Sequence, residues 1–354
     1  MLWIDKYRPR TLDDLVINKD FGESLKKLVS SGDCPHLLFY GPPGAGKKTL
    51  IIGLLKQIYG PAVEKIKVET KPWKIALPSR NIEIELTTVQ SNYHVEMNPS
   101  DVGNQDRHIV QEVIKDMCKN RPLELKGTRS YKILLLNEVD RLSREAQHSL
   151  RRTMEKYSST CRLIFSCSNV SKVIDPLRSR CLCIRVAAPT LPQIEQVLDH
   201  VAQQEEVQLP EQLRKSIAQK SERNLRRALL MLETCRVLQT PMTATQEPQL
   251  PDWELYIQEI ARDIFQEQSP KQLYQVRGKL YELLVNCLPP ELILRKLALA
   301  LIRTLDDEVR HKCIALAAAY EHRLQEGQKA IYHLEAFVAK MMSEYKTWSI
   351  AVLG

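Results

Sequence analysis

The chain has 354 residues, 44% of them hydrophobic and 27% charged, with a formal net charge of +8. This composition is typical of a globular protein that is long enough for two or three domains. No apolar run approaches the roughly 20 residues of a membrane-spanning helix, so we expect no membrane partner. The modest positive charge permits a polyanionic partner without identifying one.

Three features of the sequence indicate the redox compartment and the kinds of site to expect. Residues 1–10 are charged early and lack the apolar stretch of a signal peptide, so we expect a reducing compartment. Nine cysteines without a paired C-x-x-C motif fit free thiols better than disulfides or a zinc site. The eight histidines form no H-x-x-x-H motif or Cys/His cluster, so we expect no such metal site.

A glycine-rich stretch follows the first predicted helix and strand. Residues 39–50 read FYGPPGAGKKTL, and residues of helical period come next. Strand, glycine-rich turn and helix in this order are typical of a phosphate-binding loop. Gly41, Gly44 and Gly46 would let backbone N–H groups surround an anion, and Lys47 would reach the β- and γ-phosphates. The alternative is an ordinary glycine turn before a helix.

A second strand carries the groups that would act on the phosphate. Residues 131–136 form an apolar run that ends in Asn137 and Glu138, where the usual pattern is Asp-Glu, and Glu138 occupies the water-activating position. Lys48 stands where Ser or Thr should face Mg²⁺, a hard cation that favours anionic oxygen ligands. We therefore predict a site that binds nucleotide but assembles poorly around Mg²⁺. The alternative is that Thr49 supplies the hydroxyl through a register shift and Asn137 acts through a water molecule.

Strands and helices alternate up to about residue 188, which predicts an α/β domain with a parallel sheet covered by helices on both faces. The predicted elements after the phosphate loop are two or three strands within 64–96, a helix at Asn104–Lys119, a strand at 131–136, a helix from Ser143, and strands at Leu163–Cys167 and Cys181–Val186.

The remainder of the chain reads as helical. Three amphipathic helices are predicted at Thr190–Glu205, Glu211–Lys220 and Asn224–Leu238, before a Pro/Thr/Gln-rich linker. Four or five further helices are expected, with breaks near Pro270, Pro289-Pro290 and Gly327. The predicted divisions are an α/β domain at 1–188, a three-helix domain at 189–239, a linker at 240–252 and a helical domain at 253–354.

Six motifs in one order point to a family. DKYRP, GPPGAGKKT, LLLNEVD, SLRRTMEKYS, SCSN and SRC resemble the small subunits of eukaryotic replication factor C, the clamp loader among the AAA+ ATPases. The resemblance covers the whole chain and implies an AAA+ nucleotide-binding domain, a three-helix lid and an all-α C-terminal collar for oligomerisation. The GKKT and NEVD variants, with YHVEMNPSDVGNQDR, are most similar to the small subunit whose ATP site is degenerate.

The resemblance also implies a function. The chain would be one subunit of a nuclear heteropentamer that uses ATP to open a sliding clamp and load it onto primer–template DNA. Its cofactor would be ATP or ADP, with Mg²⁺ only weakly supported, and its partners the other subunits, the clamp and DNA. A rival interpretation is a self-sufficient P-loop ATPase acting as a homo-oligomeric motor, and a second is a scaffold with an empty nucleotide site. Lys48 and Asn137, which replace the usual magnesium-facing residues, argue against the homo-oligomeric motor. The intact GPPGAGK stretch argues against the scaffold.

Individual residues match the roles known in this family. Arg180, in the Ser-Arg-Cys motif, matches the arginine that enters the neighbouring subunit's ATP site, and Glu138 matches the residue that positions water. Arg107 and Lys172 are the expected contacts to the DNA backbone, although both could equally belong to a solvated helix face. The residues matched to nucleotide contacts are Tyr7, Arg8, Pro9, Gly41, Gly44, Ala45, Gly46, Lys47, Lys48, Thr49, Asn137, Asn169 and Arg226.

Overall fold

A seven-stranded sheet forms the centre of the first of two units, Met1–Pro248 and Gln249–Gly354. The computed structural model describes residues 1–30, 34–76, 81–119 and 131–353. The strands are β1 Leu37–Tyr40, β2 Lys67–Ala76, β3 Asn81–Gln90, β4 His94–Met97, β5 Lys132–Leu136, β6 Cys161–Cys167 and β7 Leu182–Arg185. They lie in the order β2-β3-β4-β5-β6-β1-β7.

Five of these strands form the predicted parallel sheet. β4, β5, β6, β1 and β7 pair in parallel, whereas β2 and β3 form an antiparallel hairpin that extends one edge. The hairpin and β4 account for the two or three strands predicted within 64–96. The sheet is therefore mixed at this edge, because the two strands of a hairpin run antiparallel to each other.

Helices cover both faces of the sheet in the first unit. The α-helices before the lid are α1 Trp3–Lys6, α2 Lys19–Ser30, α3 Lys47–Tyr59, α4 Asp106–His108, α5 Lys115–Lys119, α6 Arg144–Lys156 and α7 Asp175–Arg178. Leu135 and Ile164 belong to a core shared with α2 and α3, whereas their neighbours Leu134 and Phe165 belong to a core shared with α6. Alternate strand residues thus fill opposite faces, which is why β5 reads as a continuous apolar run.

The segment Asn104–Lys119 is helical, as predicted, but it is not a uniform α-helix. A 3-10 helix at Pro99–Gln105 leads into α4, and a π-helix at Ile109–Ile114 separates α4 from α5. A π-helix inserts an extra residue into a turn. Here Ile109, Val110, Val113 and Ile114 are all buried in the core, and their spacing is that of one apolar helical face.

The lid consists of three helices, as predicted: α8 Leu191–Gln204, α9 Glu211–Lys220 and α10 Leu225–Leu238. Their beginnings follow ordinary capping chemistry. Thr190 N donates to the Gln193 side chain at 2.9 Å, and Asn224 Oδ1 accepts from Arg227 N at 3.2 Å.

The second unit contains five helices: α11 Asp252–Gln266, α12 Pro270–Val285, α13 Pro290–Ile302, α14 Asp307–Glu326 and α15 Ala330–Leu353. Leu334, Phe337 and Met341 of α15 are buried in the core of this unit. The break between α13 and α14 was not predicted, because it has no proline or glycine. Arg310 closes it by donating to the carbonyls of Ile302 and Leu305 at 3.2 and 2.8 Å.

None of the nine cysteines, all of which lie within the described residues, forms a disulfide. Over the described ranges, no helix combines the length and the apolarity that crossing a membrane requires.

Candidate nucleotide-binding site

The phosphate-binding loop connects β1 to α3 and depends on its glycines. Gly44 and Gly46 adopt φ values of 73° and 95°, which disfavour residues with a side chain. A Cβ on Gly41 would lie 2.0 Å from the Val186 carbonyl oxygen, and one on Gly44 only 1.8 Å from Asn224 Oδ1. Leu225 N also donates to Gly44 O at 3.2 Å, so the loop is in direct contact with the lid.

A cavity of about 730 Å³ lies between this loop, the N-terminal segment and the lid. This is a normal size for a small-molecule site. Twelve residues predicted to act on nucleotide line it: Tyr7, Arg8, Pro9, Gly44, Ala45, Gly46, Lys47, Lys48, Thr49, Asn137, Glu138 and Arg226. Among the described residues, Gly41 and Asn169 were predicted too but are not part of the lining.

The Lys47 ammonium donates hydrogen bonds to the backbone of the phosphate-binding loop. The acceptors are the carbonyl oxygens of Gly41 and Pro42, at 2.5 and 3.0 Å. Burial lowers the pKa of Lys47, and the positive charge of Arg226 acts in the same direction. A phosphate group in the cavity would offset both effects, because it supplies negative charge to a partly desolvated ammonium.

The two positions that depart from the usual motif meet at one carboxylate. Lys48 Nζ lies 2.5 Å from Glu96 Oε1, and Asn137 Nδ2 donates to that same oxygen at 2.8 Å. Glu96 is in β4, beside Leu135 of β5, so the parallel register brings it next to the strand end that carries Asn137. Sequence reasoning missed Glu96, although its place near the end of a strand was a usable signal.

Glu138 has a constrained backbone and a local partner. It adopts a φ of 51° at the start of the 3-10 helix Val139–Arg141, and its Oε2 lies 2.9 Å from Arg141 Nη1. Two residues further on, Asp140 Oδ2 accepts from Ser168 N and Asn169 N at 3.1 and 3.0 Å. The ends of β5 and β6 are thereby fixed to each other.

Glu205 of the lid ties down the N-terminal segment. Its Oε1 accepts from the Lys6 ammonium and the Tyr7 hydroxyl, both at 2.7 Å, and its Oε2 accepts from Arg236 at 2.7 Å. These bonds, that from Lys6 first, lower the pKa of Glu205 to about 2. The Arg236 guanidinium also stacks over the Trp3 ring at 5.0 Å. Tyr7 is thus held at the cavity by a residue that no local motif indicates.

Further lining residues were not predicted from the sequence. They come from the segment after the N-terminal motif and from the lid helices: Val16, Ile17, Asn18, Val197, His200, Val201 and Leu229. Most are apolar, so in the sequence they are indistinguishable from core positions.

Arg180 points to a different part of the surface. Its guanidinium bonds to Glu155 Oε1, from Nε at 2.9 Å and from Nη2 at 2.7 Å, and donates to Pro176 O at 2.8 Å. Within the part of the chain that the structure describes, Arg180 does not line the cavity. Arg180 is therefore not part of the nucleotide cavity of its own chain.

The two predicted DNA contacts lie around the start of α6. Arg107 pairs with Glu145 at 2.6 Å, and the adjacent Asp106 accepts from Ser143 N at 2.6 Å. Buried Gln147 donates to the carbonyl oxygen of Lys172 at 3.2 Å. These bonds fix both basic segments beside one helix N-terminus.

Comparison with known families agrees with this architecture. Residues 37–187 match the family "ATPase family associated with various cellular activities (AAA)", 196–237 match "RCF1/5-like, AAA+ ATPase lid domain", and 253–349 match "Replication factor C subunit 3, C-terminal domain". The phosphate loop and its helical lid therefore define a nucleotide-binding protein of the AAA+ class.

Relatives define the family within that class. The chain is 59% identical to replication factor C subunit 3 of Arabidopsis thaliana, covering 100% of both chains. It is 52% identical to the human subunit 3, covering 98% of this chain and 96% of the other. This chain belongs to the replication factor C small-subunit family.

A solved structure extends the comparison to the fold alone. The Thermotoga maritima RuvB Holliday junction branch migration motor matches with a TM-score of 0.50 at 16% identity, covering 77% of this chain and 85% of that chain.

Proposed function

We propose that this chain is a nuclear subunit of the heteropentameric replication factor C clamp loader, which opens a sliding clamp and loads it onto primer–template DNA. The family assignment supports the other replication factor C subunits as its partners. The collar at 253–354 is proposed to hold it in the pentamer, and the α/β domain at 1–188 with the lid at 189–239 to bind ATP or ADP.

We further propose that its own site binds nucleotide but hydrolyses ATP weakly. The observation that carries this proposal is the shared oxygen of Glu96, which accepts from both Lys48 and Asn137. The residues at the two motif positions that normally face Mg²⁺ are thus engaged with a carboxylate instead. The Glu138 carboxylate, which would position water, is paired with Arg141.

Arg180 is proposed to act on the ATP site of a neighbouring subunit. Arg180 lies outside the cavity of its own chain, and its Nε and Nη2 both contact Glu155 Oε1. These contacts support the role, because they hold the guanidinium at the surface. An arginine supplied in trans stabilises the charge that develops on the transferring phosphoryl group. Glu155 is then the residue that positions it.

DNA contact is proposed for Arg107 and Lys172. Both lie near the start of α6, where their basic side chains could pair with phosphate oxygens of the DNA backbone. Contacts of this kind position the protein on the DNA backbone without reading its sequence.

The homo-oligomeric motor is the less favoured alternative. In a ring built from this chain alone, every site would carry Lys48 and Asn137 bound to Glu96. Each site would then lack the hydroxyl and the aspartate that usually face Mg²⁺, and no site in the ring would have the full set of catalytic groups.

Nucleotide binding and turnover by the isolated chain test the proposal together. We expect ADP and ATP to bind and ATP turnover to be negligible. Lys47→Ala should weaken binding about tenfold to a hundredfold, the weight of a charge-assisted hydrogen bond. Lys56→Ala is the matched control, since Lys56 is on the same helix but pairs with Glu64 at 2.7 Å. Brisk hydrolysis by the pure chain, abolished by Glu138→Gln, would contradict the weak-site proposal.

A further inference from the structure

We propose that the Lys48 ammonium takes the place of Mg²⁺ in this site, so that the chain binds metal-free nucleoside di- or triphosphate. The inference rests on the nucleotide binding proposed above and adds the ionic form of nucleotide that the site accepts.

The position of Lys48 is the first step. It is the second residue of α3, directly after Lys47, and both line the cavity. Its side chain is 45% exposed, and its ammonium is held 2.5 Å from Glu96 Oε1. A fixed monovalent cation therefore stands at the helix N-terminus that would receive the phosphates.

Asn137 is the second step. Its amide donates to the Glu96 oxygen that Lys48 also contacts, and the Glu96 side chain is only 12% exposed. An aspartate at this position would place a second carboxylate beside Glu96, and like charges so close need a cation between them. The neutral amide removes that need, so that Lys48 balances Glu96 without a metal.

The surrounding groups do not compose a magnesium site. Mg²⁺ prefers carboxylate, phosphate and water oxygens in octahedral geometry. Glu96 is engaged by Lys48, and the Arg141 guanidinium lies 2.9 Å from Glu138 Oε2, where it adds another positive charge. Lys47 and Arg226 add further positive charge along the cavity. The residues present thus fit a nucleotide whose charge is balanced by side-chain cations, and they do not fit Mg²⁺.

Thr49 is the remaining hydroxyl to consider. It lines the cavity one residue after Lys48 and would be the ligand if the loop held Mg²⁺ in a shifted register. In that case the wild-type chain would need Mg²⁺ for tight binding. The metal dependence of nucleotide affinity therefore separates the two arrangements.

The test is titration of the full chain with a fluorescent ADP analogue in excess Mg²⁺ and in excess EDTA. We expect the two wild-type dissociation constants to agree within about twofold, because no protein group contributes a metal contact. In Lys48→Ser/Asn137→Asp, which restores the usual residues, EDTA should weaken binding about tenfold or more, the weight of one charge-assisted contact. Lys56→Ser, a lysine change at the far end of the same helix, should keep the wild-type insensitivity.

Each outcome decides something different. Wild-type binding that requires Mg²⁺ would overturn the inference and leave the proposed nucleotide site standing. A chain that binds no probe in either buffer would overturn the proposed nucleotide binding itself. Should the double variant not fold, Lys48→Ser alone decides: we expect metal-free affinity to fall about tenfold. Unchanged metal-free affinity in that variant would overturn the inference.

Discussion

Lys48 and Asn137, far apart in the sequence, donate to the same oxygen of Glu96, over 2.5 and 2.8 Å. Each is a departure from the usual phosphate-site motif. Together they form one arrangement, in which a lysine cation and a neutral amide satisfy a partly buried carboxylate. The two departures therefore act together. Lys48 supplies the positive charge that balances Glu96, and the neutral Asn137 adds no second negative charge that would need a metal ion.

The contact between the phosphate loop and the lid predicts an effect of Gly44→Ala. The left-handed backbone costs about 1–2 kcal/mol for a residue with Cβ, and the new Cβ would lie 1.8 Å from Asn224 Oδ1. We expect weaker nucleotide binding and a lower urea midpoint than in Gly46→Ala, where no described residue beyond the chain neighbours comes within 4 Å of the added Cβ.

Asn224→Ala provides the double-mutant control for this steric clash. Alone it should cost about 1 kcal/mol, because Asn224 caps α10. In the Gly44→Ala background it should recover part of the lost affinity. Equal effects of Gly44→Ala and Gly46→Ala, unchanged by Asn224→Ala, would show that the lid does not press on the loop.

The bonds of Glu205 predict a pH dependence of stability. Its pKa in the folded chain is lowered from 4.5 to about 2, chiefly by the bond from Lys6. The stabilisation is therefore complete above the ordinary pKa and is lost as the pH falls from about 4.5 towards 2. We expect the difference in urea midpoint between wild type and Glu205→Gln to be constant above pH 5 and to vanish near pH 2.

The adjacent Glu206→Gln serves as the control for this titration, because Glu206 is exposed. Its midpoint should follow that of the wild type at every pH. A Glu205→Gln difference that persists undiminished at pH 2 would rule out the charge of Glu205 as its source.

We expect removal of the C-terminal unit to abolish assembly into the pentamer and to leave nucleotide binding intact. The first unit has hydrophobic cores of its own, and so has the second. A fragment of residues 1–251 should bind nucleotide like the full chain but fail to enter the pentamer. The fragment lacks the helices whose exposed apolar faces are proposed to pack against the partner subunits. Gel filtration of co-expressed subunits measures this; a stable pentamer containing the fragment would remove the collar assignment.

The sequence was most informative where local chemistry decides structure. Strand, glycine loop and helix around Lys47, and the three lid helices, follow from periodicity and capping residues. It was least informative where distant segments meet. Nothing local shows that Glu96 accepts from Lys48, or that Glu205 holds Tyr7, since those contacts depend on strand register and lid placement.

Helix interruptions show the same limit. The break before α14 is closed by Arg310 rather than by proline or glycine. This closure depends on a side chain of the following helix, so no break signal appears at the break itself.

The most direct test of the proposed role compares Arg180→Ala with Glu138→Gln in one reconstituted complex. Arg180→Ala should leave nucleotide binding by this chain unchanged and lower the DNA- and clamp-stimulated ATPase, with a loss on the order of 10³-fold at the one affected interface. The total rate should fall less, because other interfaces keep their own arginines, and Glu155→Gln should lower it in the same direction. Glu138→Gln should change little. A damaging Glu138→Gln beside a silent Arg180→Ala would contradict the account, and the chain would then be a working ATPase.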